Sequence, residues 1–97
     1  MIHVRLTSAA EAELADALRW YGEIRRELAG RLLDEYERLL LRLRENPHQF
    51  PSVRNDIRRA GFRHFPYGLL FRLFPEEVEI IAVFHTSRDP RQWERRM

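Results

Sequence analysis

His85 closes the most apolar stretch of the chain, Val78 to His85, and Arg63, His64 and Arg88 stand where a tight strand meander would bring them close to it. An imidazole titrates near neutrality, so among guanidinium groups it suits general acid–base work at a phosphate. The plainer role for a polar strand end is to hydrogen-bond nearby backbone. Arg58, Arg59, Arg63 and Arg88 form a second candidate group. The planar guanidinium fork pairs with carboxylates or phosphates, while on an edge strand the same charges guard against sheet-to-sheet association. Alternation sends Arg59 and Arg63 to one face and Arg58 and His64 to the other, so a regular strand cannot gather all of them into one site.

Other residues with chemical potential read more simply. His3 and His48 are expected in solvent, and no spacing of His with acids suggests a metal site. Trp20 and Tyr21 read as packing residues of a helical hairpin. Trp93, alone in an Arg-rich tail, must either dock on the sheet or wait for a partner. The chain has no Cys, which excludes disulfides, thiolate metal sites and thiol catalysis. No cofactor is expected.

The elements that must position these residues begin with Ile57 to Asp89, which reads as three strands joined by turns. If Leu73 lies opposite Val78 across a four-residue loop, Phe74 to Glu77, then Tyr67, Leu69, Phe71, Leu73, Val78, Ile80, Ala82 and Phe84 share one dry face. Gly68, Leu70, Arg72, Phe74, Glu79, Ile81, Val83 and His85 then share a mixed face, with Arg72 across from Glu79. Ile2 to Leu6 alternates as one more short strand, at an edge or in the middle of the sheet. Ser8 caps a first helix over residues 9–25, with Glu11 three residues on. A second helix starts between Glu27 and Arg31, near Gly30, and ends at Asn46-Pro47. On its wet face Arg31/Glu35 and Asp34/Arg38 are opposite charges one turn apart.

His48 to Asn55 reads as a loop, with Phe50 as a plug under the hairpin. Asp89 and Pro90 signal a short C-terminal helix or tail. The expected fold is therefore α+β, an antiparallel helical hairpin packed on one face of a mainly antiparallel sheet. The hairpin covers only the dry face, so Leu70, Ile81 and Val83 would form an apolar patch beside Arg72 and His85, and such patches mark interaction sites. Arg58, Arg59, Arg63, Leu70, Arg72, Ile81, Val83, His85, Arg88 and Trp93 are the candidate partner-binding residues.

At 97 residues, 44% hydrophobic and 33% charged, the chain reads as one folded domain spanning residues 1–97. The longest apolar run, Ile80 to Phe84, is too short to cross a bilayer, and a cytoplasmic protein is expected. All 17 basic residues are Arg, for a net charge of +2. Residues 53–97 hold nine Arg against six acids, and residues 1–52 hold eight against nine. The positive excess therefore sits on the sheet and tail, where it would meet an acidic partner or a phosphate backbone.

A strand, a helical hairpin and a three-stranded meander is the layout of the RelE/ParE toxin superfamily of type II toxin–antitoxin systems. The sequence resembles its ParE-like, or plasmid-stabilisation, branch over nearly its whole length. The likeness is carried by residues 6–14 (LTSAAEAEL), Trp20-Tyr21, residues 45–51 (ENPHQFP), Arg58-Arg59-Ala60, Arg63-His64-Phe65-Pro66-Tyr67 and residues 85–93 (HTSRDPRQW). The resemblance implies a toxin held inactive by a cognate antitoxin and directed at DNA gyrase. RelE-like members instead cleave messenger RNA on the ribosome, using an Arg in the middle strand and basic or Tyr residues near the chain's end. Here the comparable middle-strand position is Gly68, and Thr86 and Ser87 follow His85. If the chain is nevertheless an endoribonuclease, His85, Arg63 and Arg88 are its catalytic candidates; a non-toxic interaction domain of the same fold is the third reading.

Overall fold

The computed structural model describes residues 2–87 and 91–97. Thr7 starts the first helix, α1 (Ser8–Ile24): its hydroxyl accepts the Ala10 N–H at 3.2 Å, which places the cap one residue before the expected Ser8. Arg25 alone joins α1 to α2 (Arg26–Glu45), its extended backbone (φ −157°, ψ 136°) interrupting the helical path. Gly30 lies inside α2 with open space around it, so no break occurs there. At the far end Asn46 stops the helix, and its side chain accepts the His48 N–H at 3.1 Å.

Among the described residues five strands form one sheet: β1 (His3–Leu6), β2 (Ser52–Arg54), β3 (Ile57–Gly61), β4 (Tyr67–Leu73) and β5 (Glu77–His85), in the order β1-β5-β4-β3-β2. Only β1 runs parallel to its neighbour, β5, and it takes an edge. Residues 48–55, expected as a loop, continue a 3-10 turn that begins at Pro47 (Pro47–Gln49) and contain the short strand β2, which turns back to β3 through Asn55 in the left-handed region (φ 50°). Asn tolerates that conformation better than most residues.

Leu73 pairs with Val78 and Arg72 with Glu79, the register expected from side-chain parity. That parity does not survive to the end of β5. Leu70 pairs with Ala82 but Phe71 with Ile80, so Ile81 is an extra, bulged residue. Downstream of the bulge every side chain changes face. Val83 joins the core beneath the hairpin and His85 pairs with Tyr67 on that side, whereas Ala82 and Phe84 cross to the opposite face. The run Ile80 to Phe84 is apolar throughout, so its pattern holds no information about which residue faces which way.

The helical hairpin covers one face, with Leu32, Leu39, Leu43, Phe50, Leu69, Phe71, Val78 and Ile80 in the core. Phe50 stands edge-on to Phe71 at 5.9 Å, as the expected plug. Contrary to the expected open patch, the other face is also covered. The short helix α3 (Arg91–Glu94) lays Trp93, 5% exposed, on Phe84 at 4.6 Å, and Leu70 and Ile81 are buried beneath this segment. Asp89 and Pro90, expected to start that helix, lie outside the described residues.

Candidate functional site

Glu35 is buried, at 8% exposed, and not on the expected wet face beside Arg31. Its position, three residues after Leu32 and four before Leu39, keeps it within the apolar stripe of α2 and was the available signal. The carboxylate turns to the β3–β4 connection. It accepts the Arg63 N–H, the His64 N–H at 2.8 Å, and lies 3.1 Å from His64 Nδ1. Burial pushes the Glu35 carboxyl up, but the hydrogen bonds from His64 and Arg63 outweigh it and hold the group below the ordinary carboxylate range.

Around this anchor opens a cleft of about 420 Å³, lined by Glu35, Arg38, Leu39, Arg42, Gly61, Phe62, Arg63 and His64. Arg38, Arg42 and Glu35 were not among the candidates. The strand β3 ends at Gly61, so alternation no longer governs Arg63, and the connection swings it toward α2. Arg42 stacks over Phe50 at 4.9 Å and donates to Gln49 Oε1 at 3.2 Å.

His85 lies elsewhere, lining a second cleft of about 520 Å³ with Glu13, Asp16, Trp20, Tyr67, Val83 and Ser87. Its ring meets Tyr67 edge-on at 5.2 Å, and its Nδ1 accepts the Ser87 N–H at 3.1 Å. That is the backbone-bonding role. Tyr21 packs against Phe65 at 5.0 Å, whereas Trp20, expected as packing, is 62% exposed on the rim of this cleft.

The remaining candidates are dispersed. Arg58 donates to the Phe50 carbonyl at 2.7 Å; Arg59 lies over the Phe84 ring at 5.3 Å on the opposite face. Arg72 reaches Asp56 at 3.5 Å, Glu79 at 3.8 Å and the Arg96 carbonyl at 3.3 Å. Gly68 is closed to a side chain: a Cβ there would stand 2.7 Å from Phe84 Cζ. Arg88 lies outside the described residues.

A clasp that sequence reading missed holds the second face shut. β1 pairs with β5 only as far as Ile80, so the next backbone groups of β5 need partners from elsewhere. Glu13 accepts the Val83 N–H at 3.1 Å, and Arg96 donates to the Ile81 carbonyl at 3.0 Å. The two side chains are joined by a paired contact, 2.8 and 3.1 Å.

A family model for the ParE toxin of the type II toxin-antitoxin system parDE matches residues 4–90. No curated protein matches the chain. Among solved structures the chain is similar to one chain of the chromosomal ParDE TA system from P. aeruginosa, with a TM-score of 0.76 and 20% identity over 90% of this chain and 98% of that one. At that identity the likeness speaks for the fold.

Proposed function

Since the chain belongs to the ParE toxin family of type II toxin–antitoxin systems, we propose that it arrests growth by binding DNA gyrase without catalytic turnover, and that a cognate antitoxin neutralises it. One observation carries the non-catalytic reading: His85 and Arg63, the core of the candidate nuclease site, line two different clefts. An acid–base group acts only within hydrogen-bond reach of the reacting proton. His85 is turned to Tyr67 and Ser87, and Arg63 to the Glu35 cleft. The middle-strand position that carries Arg in RelE-like nucleases is a glycine packed against Phe84.

The antitoxin's seat, on this reading, is the face holding Leu70 and Ile81, with Arg59 and Arg72 at its rim. Val83 and His85, on the hairpin side of the sheet, drop out of that surface. A segment rich in acids and apolar residues gains the face by lifting Trp93, burying apolar area while its carboxylates meet the Arg side chains. Both gyrase and antitoxin place the protein's action in the cytoplasm; among the described residues no helix is long and apolar enough to cross a membrane.

Induced expression in bacteria, with and without the neighbouring gene, tests this reading. The expected result is filamentation with DNA damage, reversed when the neighbour is co-expressed, with weaker rescue of Arg59→Glu. Rapid translation arrest with cut messages would establish the nuclease, and normal growth the inert domain.

A further inference from the structure

Arg38 and Arg42 stand one turn apart on α2, and Arg63 faces them from the β3–β4 connection across the 420 Å³ cleft. Among the described residues Glu35 is the one carboxylate lining this cleft, and its oxygens are already engaged by the Arg63 and His64 donors. Phe50 and Gln49 steady Arg42. Among the described residues the side chains of Arg38 and Arg63 have no partner. Three cations thus face one satisfied anion, and gathered like charge of this kind attracts a ligand that brings negative charge.

We propose that this cleft binds the phosphate group of a nucleotide unit, presented by a single strand or by a free nucleotide. Arg38 and Arg42 belong to one wall of the cleft, α2, and Arg63 to the other, the β3–β4 connection. A tetrahedral phosphate offers oxygens in several directions to such donors, whereas a planar carboxylate is best met by one fork in its own plane. Leu39 and the half-buried Phe62 add an apolar surface against which a sugar or base can lie. The volume suits one small ligand. A duplex carries its phosphates on the outside of a rigid rod and cannot place a nucleotide inside, so the unit must come unpaired. The inference stands apart from the choice of gyrase as target.

Fluorescence anisotropy with a short labelled oligothymidylate provides the test, with thymidine monophosphate and polyglutamate as competitors. The wild type is expected to bind the oligonucleotide. Arg38→Ala/Arg63→Ala should weaken binding at least about ten-fold and reduce the slope of log affinity against log salt by about 1.4, two lost contacts at about 0.7 each. Arg19→Ala, whose side chain pairs with Asp16 outside the cleft, should bind as wild type does. Competition by thymidine monophosphate identifies the free nucleotide as a sufficient source, and its failure identifies the strand. Absence of binding, an unaltered double variant, or equal competition by polyglutamate overturns the proposal. Amide NMR of the wild type gives an answer that no variant's folding can obscure: oligothymidylate should shift Phe62, Arg63 and His64, and shifts confined to other residues would overturn the assignment.

Discussion

A carboxylate that accepts several aimed donors inside a fold is stabilised as an anion there more than in the unfolded chain. Glu35 is such a group, its folded pKa lying below the unfolded value, so its contribution is present above the unfolded pKa and lost as pH falls through the folded one. Glu35→Gln should therefore lower the urea stability near neutral pH by about 1–3 kcal/mol. The gap between wild type and variant should close on acidification below about pH 4.3. A gap unchanged by acid would mean that the carboxylate charge is not what holds the β3–β4 connection. This residue was legible in principle, since its spacing from Leu32 and Leu39 keeps it on the buried stripe. Its charge alone points to solvent. His85 shows the reverse case: its backbone-bonding role was open to sequence reasoning, but its face was not, because the deciding bulge lies at Ile81 among residues that are all apolar.

Elements were legible wherever polarity alternates and illegible where it does not. The four-residue connection between Leu73 and Val78 follows from pairing Arg72 with Glu79, and the helical hairpin from apolar residues at helical spacing, Leu14, Ala17, Leu18 and Tyr21 on α1 and Leu32, Tyr36, Leu39 and Leu43 on α2. Residues 52–54 form a strand too short to show alternation, and its register against β3 is itself irregular. The docking of α3 depends on a contact between Trp93 and a Phe84 that the bulge alone brings to that face. Its clasp joins Glu13 to Arg96 across most of the chain, a separation that local patterns cannot reveal. Arg96→Ala removes the donor to the Ile81 carbonyl and leaves Glu13 half satisfied, at a cost of about 1–3 kcal/mol. Hydrogen exchange at Val83 and quenching of Trp93 fluorescence should both rise in that variant. If both match the wild type, the clasp does not hold α3 down.

At the scale of the molecule, one sheet separates two chemically different sides. On the hairpin side, the cationic cleft between α2 and the β3–β4 connection and the Glu13–Asp16–His85 cleft are separate cavities. On the other, a lid of the chain's own C-terminal residues covers Leu70 and Ile81. Two of the three nuclease candidates, Arg63 and His85, line different clefts, and Arg88 lies outside the described residues. Non-catalytic action on gyrase stays a proposal. Its most direct test is supercoiling of plasmid DNA by purified gyrase in the presence of the purified chain, wild type and His85→Ala side by side. Both proteins are expected to inhibit supercoiling and to cause cleaved DNA to accumulate to the same extent. Gyrase left untouched by the wild type, with ribosome-bound message cut by the wild type but not by His85→Ala, would contradict it.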